Sequence, residues 1–321
     1  MPTAPADLEV VPLGDEHELR AALALLEAAE RTAGLPLLDE AEQQRLAAWA
    51  ERGERAEGWR PSLLRRGDED VAYAAATGTA GGRAATGDVA VARPVRAAQA
   101  ITTAALEVVR DAAADLDATH LEVWMRAVGP AEIEAAEVAG YALERRLAVL
   151  GRALPVDDQV DQTGSRALED LAAAGTQVRA FVKGQDDAAV VEVLAAAYDG
   201  TDDGGWDLDR FAERRGWSWF RAEDLLLAED LDGRLAGIHW LKRRGRGVGE
   251  VYNLAVHPRA QGRGVGPALL RAGLDHLDAV GCTEVILWVD TVNERAVQLY
   301  RAQGFVTRWE DIAVGTAVPP R

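Results

Sequence analysis

Cysteine, lysine and long apolar runs are scarce in this chain. Its one cysteine, Cys282, has no partner for an internal disulfide, which fits a reducing compartment. Lying between Gly281 and Thr283 at a strand entrance, it reads as packing rather than as a nucleophile. Only Lys183 and Lys242 are lysines, and all other Lys+Arg positions are arginine. With so much alanine, this is the mark of GC-rich coding, so arginine carries weight by position and not by number. No apolar run is long enough to cross a bilayer, and the opening MPTAPADLEV lacks the basic and apolar regions of a secretory leader; the expectation is a cytoplasmic protein. Positive charge is also short: 35 Lys+Arg against 53 Asp+Glu leave a net charge of −18. Nucleic acid and anionic membrane, which need a basic surface, are not expected as partners. A local basic cluster can still hold an anion.

What remains is the composition of a globular protein: 321 residues, 48% hydrophobic and 27% charged, enough for two domains of ordinary size. Segment 223–258 reads as three strands. DLLLAE and RLAGIHWLKR are joined by the turn DLDG, and EVYNLAVHP follows, ended by Pro258. A helix runs from Pro267 to about Ala279, and TEVILWVD is a buried strand. NERAVQLYRAQ is a helix with Asn293 as its cap and Gly304 as its stop, and FVTRWEDIAV is a closing strand. A weaker echo lies upstream: Pro94 and Pro258, Trp124 and Trp288, Gly140 and Gly304, and Tyr141 and Phe305 share one spacing. That predicts a tandem duplication, with residues 1–155 as the first domain, 156–175 as a linker region and 176–321 as the second. Early helices are expected at 15–31 and 39–51 in the first half, and at 185–198 and 207–215 in the second.

The stretch Gln261-Gly-Arg-Gly-Val-Gly266 joins a strand to a helix. The first amides of a helix have no partner within it, the dipole end is positive, and glycine lets the backbone come close. The segment therefore suits a phosphate group, with Arg259 and Arg263 adding charge, although a plain tight turn explains a glycine cluster equally well. No Gly-Lys-Ser/Thr follows, so it is not a mononucleotide loop, and the preceding hairpin argues against a doubly wound dinucleotide fold.

LAVHPRAQGRGVGPALL followed by LWVDTVNERAVQLYRAQGF resembles the GCN5-related N-acetyltransferase (GNAT) superfamily over about the last hundred residues. AAYDGTDDGGWDLDRFAERRGWSWFRAEDLLLA, GIHWLK and GEVYNLAV, on a tandem chain of this length, are similar to the mycothiol synthase family within it. The resemblance implies an α/β (α+β) class: two tandem GNAT-like domains, each a mixed, mostly antiparallel sheet flanked by helices. It implies an N-acetyltransferase that uses acetyl-CoA, without a metal, as a monomer. The acceptor implied is the cysteinyl amine of desacetylmycothiol (cysteinyl-glucosaminyl-inositol), in the last step of mycothiol biosynthesis.

It also implies roles for residues. Leu254, Ala255, Val256, Gln261, Gly262, Arg263, Gly264, Val265, Gly266, Asn293 and Arg295 would hold the cofactor. A backbone amide near Leu254 or Ala255 would stabilise the oxyanion. Glu250 would be the base and Tyr300 the acid; taken by themselves, the first reads as a solvated strand end and the second equally well as a core aromatic. Glu40, Asp202, Lys242, Glu250 and Trp288 would bind the acceptor. Asp39 contends with Glu40, and Asp203 is either a second acceptor contact or a cap.

Shifted by the repeat, the loop falls on Ala97–Thr102, where every glycine is gone. Glu250 falls on Thr86, Asn293 on Gly129 and Tyr300 on Ala136. The first domain is therefore expected to be catalytically silent. The rival readings are a GNAT enzyme for another amine (a protein N-terminus, an aminoglycoside or a polyamine) and a non-catalytic acyl-CoA sensor.

Overall fold

The computed structural model describes residues 7–79, 82–92, 95–156, 162–201 and 203–319. In chain order the first half builds β1 (Leu8–Pro12), α1 (Glu16–Ala33), α2 (Glu40–Arg52), β2 (Trp59–Arg66), β3 (Glu69–Gly78), β4 (Ala84–Val91), α3 (Ala98–Ala114), β5 (His120–Met125), α4 (Pro130–Val138) and β6 (Ala142–Ala153). The second half builds α5 (Gln162–Ala173), β7 (Gln177–Ala180), α6 (Asp187–Ala197), α7 (Leu208–Arg215), β8 (Leu225–Glu229), β9 (Leu235–Arg244), β10 (Val248–Val256), α8 (Val265–Ala279), β11 (Glu284–Asp290), α9 (Glu294–Ala302) and β12 (Val306–Ala317). Local chemistry sets most boundaries. Asp15 and Glu18 form a capping box at α1, and Gly34 ends that helix at φ 74°. Asp39 and Asp207 accept backbone N–H groups at the starts of α2 and α7.

The chain divides into two compact units, Met1–Ala148 with Trp309–Arg321, and Val149–Arg308. The strand β6 therefore begins in one unit and ends in the other, as does β12. The closing strand, read from sequence as the end of the second domain, has most of its length in the first unit. There it pairs antiparallel with β5, Ile312 opposite Met125.

In the first unit the sheet order is β1-β2-β3-β4-β5-β12, antiparallel except for β4 beside β5. Alternate residues of β2 and β3 serve opposite faces. Leu63, Tyr73 and Ala75 pack with α1 and α2, while Leu64, Ala72 and Ala74 pack with α3. Both faces are covered, which is why Val71–Ala76 reads as one continuous apolar run. Glu42 is buried in this core, accepting the Trp59 indole N–H at 2.9 Å, the Tyr73 hydroxyl and the Arg45 guanidinium. Burial raises its pKa.

In the second unit the order is β6-β11-β10-β9-β8-β7, with β10 and β11 parallel and β7 to β10 antiparallel. An aromatic core of Phe181, Phe211 and Trp240 fills the face under α6 and α7, while Ala228, Ala236 and Leu269 serve the face under α5 and α8. The region expected to be a linker contains α5, which packs along α8, with Arg271 donating to the Ser165 hydroxyl at 2.6 Å. Its residues 157–161 lie outside the described residues. Among the described residues no helix is long and apolar enough to cross a membrane.

The two halves repeat as their spacing predicts. Trp124 and Trp288 sit on β5 and β11, and Gly140 and Gly304 end their helices at φ 82° and 78°. Pro94 lies outside the described residues. The register slips before one helix pair: Ala97 and Gly264, which precede α3 and α8, are 167 residues apart. The first copy's loop is thus three residues shorter than a constant offset makes it.

Candidate active site

The site grows from a fault in β10. Its parallel ladder with β11 runs only from Val248 to Val251, opposite Glu284 to Leu287. A bulge follows between Val251 and Asn253, after which Asn253–Val256 stay paired with β9 alone. β11 continues to Asp290, so the two strands part. The equivalent pair in the first unit, β4 and β5, pairs from Ala84 to Val89 with no such shift. The backbone of Leu254, Ala255 and Val256 is left facing a cavity of about 540 Å³.

The loop after β10 closes one end of that cavity through Gln261, Gly262 and Gly264–Pro267. The three glycines have different reasons. Gly262 and Gly264 stand at φ 77° and 80°, a region where side chains are strained, and around Gly262 nothing would crowd a Cβ. Gly266 is helical, and a Cβ there would meet Val256 and Leu299 at 3.7 and 3.8 Å, ordinary contact. Side chains cap α1, α2, α7 and α9, but α8 has Gly264 at its N-cap and no side-chain cap. The helix therefore begins with bare amides beside the cavity, a fit for a diphosphate. Arg295 donates to the Gln261 side-chain oxygen at 2.9 Å, and the Gln261 amide donates to the Val256 carbonyl at 3.3 Å. That chain ties loop, strand and α9 together.

Asn293, Arg295 and Tyr300, from α9 and its cap, line the same cavity. Asn293 caps its own helix, accepting the Ala296 N–H at 3.1 Å. Tyr300 is buried, edge-on to Phe305 at 5.6 Å, and burial pushes its hydroxyl well above the usual phenol range. It stays protonated near neutrality and can act as an acid. Val265 lines the cavity too, but buried.

The arginines expected beside the loop do not join it. Arg263 is exposed and outside the cavity wall. Arg259 turns toward Glu192 at 2.9 Å and the Leu235 carbonyl at 3.0 Å, in a separate recess. The exposed Glu192 carboxylate offers it an ion pair, so its charge serves α6 rather than the loop.

A second cluster forms at the start of β10. Glu250 is buried and lies opposite Lys242 in the β9 register. Its carboxylate accepts from the Arg244 guanidinium at 2.5 Å, and that guanidinium lies 5.0 Å from the centre of the Trp288 ring. Lys242 is nearly buried, its ammonium 4.6 Å from Trp219 and 5.9 Å from Tyr252. Its strand neighbours His239 and Trp240 are core residues. His239 donates its Nδ1–H to the Leu269 carbonyl, 2.7 Å away, and burial lowers its pKa to about 4.

The expected base, Glu250, and acid, Tyr300, thus belong to different clusters of the same unit. Asp202 lies outside the described residues. Asp203 does not cap α7, because Asp207 does so, accepting the Arg210 N–H at 2.8 Å. Glu40 opens α2 in the first unit, behind its cap Asp39. Sequence reasoning missed Tyr198 and Thr201, which line the cavity after α6, and Arg244. A period of two from Lys242 puts Arg244 on the same strand face, which was the available signal.

Comparison with known proteins agrees with this architecture. Residues 189–305 match the acetyltransferase (GNAT) family. A mycothiol acetyltransferase of Streptomyces avermitilis is 36% identical over 323 aligned residues, covering 98% of this chain and 97% of that protein. A mycothiol acetyltransferase of Stackebrandtia nassauensis is 48% identical over 142 residues, spanning 43% of this chain and 46% of the relative. Among solved structures, a GCN5-related N-acetyltransferase from Sphaerobacter thermophilus superposes with a TM-score of 0.72 at 20% identity, covering 99% and 98% of the two chains. A tandem GNAT protein from the clavulanic acid biosynthesis pathway gives 0.70 at 16% identity, covering 98% and 99%. These two likenesses establish the tandem fold; the full-length relative establishes more, and the chain belongs to the mycothiol acetyltransferase family of the GNAT superfamily.

Proposed function

We propose that this protein transfers the acetyl group of acetyl-CoA to the cysteinyl amine of desacetylmycothiol, within its second unit. The observation that carries the reading is the parting of β10 from β11 beside an uncapped helix start, in a chain whose full length matches a protein of that name. The diphosphate of acetyl-CoA would rest on the amides of Gly262–Gly266, and the pantetheine arm would pair with Leu254–Val256 as an added strand. The same strand's amides near Leu254 or Ala255 would face the thioester carbonyl and stabilise its oxyanion.

The amine arrives protonated. Glu250, directly or through water, takes its proton, and the free nitrogen lone pair attacks the carbonyl carbon. The tetrahedral intermediate collapses with loss of the coenzyme A thiolate and of the second amine proton, and Tyr300 gives its proton to the thiolate. Glu250 then gives its proton to solvent, the second amine proton goes there too, and the phenolate is refilled from solvent, so the products are an amide, a thiol and one net proton released to the medium. Asp202, Lys242 and Trp288 are proposed acceptor contacts. The first unit, with no glycine at its loop and Thr86 at the place of Glu250, would be catalytically silent. Acetyl-CoA as donor implies a cytoplasmic setting.

The test is a turnover screen with acetyl-CoA against desacetylmycothiol, simple amines, an aminoglycoside, a polyamine and a peptide panel. Selective acetylation of desacetylmycothiol supports the assignment; preference for a peptide N-terminus overturns it.

A further inference from the structure

We infer that Arg244 and the ammonium group of the acceptor compete for one subsite, built from the Glu250 carboxylate and the Trp288 ring. The inference rests on the reading of Glu250 as the group that meets the amine. A carboxylate beside an aromatic face is what binds an organic cation, by charge-assisted hydrogen bonds on one side and the ring quadrupole on the other. Both halves of that recognition engage Arg244, whose guanidinium lies 2.5 Å from the Glu250 oxygen and 5.0 Å from the Trp288 centroid.

Charge argues for competition rather than company. Lys242 stands opposite Glu250 in the strand register, and Arg244 is ion-paired to its carboxylate. A third cation beside them would meet repulsion in a site where the Glu250 side chain is only 7% exposed. One cation has to leave, and the two differ in how firmly they are held. Lys242 is 9% exposed and wedged against Trp219 and Tyr252. The Arg244 side chain is 21% exposed and ends β9, next to a turn with Arg246 and Gly247 at φ 63° and 76°. Arg244 can therefore swing to solvent along the rim.

The exchange has a chemical consequence. An oxygen that accepts from Arg244 is not ready to take a proton, so the arriving ammonium releases its own base. Acetylation turns that ammonium into a neutral amide, which no longer competes, and the return of Arg244 favours departure of the product.

Steady-state kinetics on Arg244→Gln and Arg244→Lys decide the matter. Removing the competing charge in Arg244→Gln should lower the acceptor KM by about two- to fivefold, the scale of a solvent-touching ion pair, and leave the acetyl-CoA KM unchanged. Arg244→Lys keeps a competing cation and should stay near the wild type. Guanidinium ion added to Arg244→Ala should inhibit competitively with the acceptor, and more strongly than it inhibits the wild type. Thermal melting reports whether each variant folds, and the Lys variant with the guanidinium assay on wild type still discriminates if the neutral ones do not. A raised acceptor KM in Arg244→Gln would make Arg244 a binding contact and overturn the inference, as would no change in any of these readings. If the wild type acetylates no amine tested, it is the assignment of function that fails; if it turns over normally and only these shifts are missing, the competition alone is wrong.

Discussion

Gly264 and Ala97 hold the same place at the starts of α8 and α3, and both are left-handed, at φ 80° and φ 60°. The fold thus demands one backbone geometry in both copies, but only the second copy meets it with glycine. In the first, alanine carries the strain, roughly 1–2 kcal/mol for a residue with a Cβ. Replacing Ala97 with Gly should therefore stabilise the protein, by less than that amount because glycine also loosens the unfolded chain. A rise in Tm checks it. The same variant should gain no coenzyme A at that loop, since Val95 and Gln99 stand where the second copy has Gly262 and Gly266.

The converse change belongs at Gly264. An alanine Cβ there would sit 3.7 Å from Ala167, so space is adequate and the cost is the backbone alone. Gly264→Ala should lose roughly 1–2 kcal/mol of stability, and if the loop relaxes its amides turn away, weakening coenzyme A by about tenfold or more. Gly266→Ala, at a helical φ with ordinary contacts, should lose far less of either. Calorimetry with coenzyme A and parallel melts separate the two positions; equal losses would mean that close approach, and not conformation, requires glycine.

The contrast between those glycines marks what the sequence can convey. Order along the chain is legible: strand, glycine turn, helix, strand, capped helix all follow from turn residues and caps such as Asn293 and Gly304. Direction in space is not. Arg259 and Arg263 look alike beside the loop, yet Arg259 finds Glu192, which is 67 positions away and was placed near by α6. The membership of β12 was equally hidden, because a strand's partner depends on tertiary pairing rather than on its own apolar pattern. Arg244 was hidden for a different reason: in a chain rich in arginine, no single one stands out until its neighbours are known.

Tyr300 is the next place to intervene. Burial holds its hydroxyl above the ordinary phenol value, so it remains a proton donor across the neutral and mildly alkaline range. Tyr300→Phe removes only the proton and should lower kcat by about 10²- to 10⁴-fold, with little change in coenzyme A affinity. The wild-type rate should show no alkaline fall from this group below the ordinary phenol pKa. A kcat within a few-fold of wild type would shift the acid's role to water or to Tyr198, which lines the same cavity.

The last prediction concerns stability and pH. His239 is fully buried, its ring pressed against Gly273, where an added Cβ would fall 2.2 Å from the imidazole. Burial is the main cause of its pKa of about 4, opposed by the bond to the Leu269 carbonyl. In the unfolded chain a histidine titrates near 6.5. Between those values the unfolded state binds the extra proton, so the stability this group protects is complete above pH 6.5 and is lost as pH falls toward 4. The loss amounts to roughly 3 kcal/mol over that window. Guanidinium denaturation at pH 7, 6, 5 and 4 should show the second unit weakening steadily. His239→Gln, neutral at every pH, should start less stable at pH 7 and flatten the slope. If the slope is unchanged in the variant, the acid sensitivity comes from other groups and the imidazole is not held neutral by its burial.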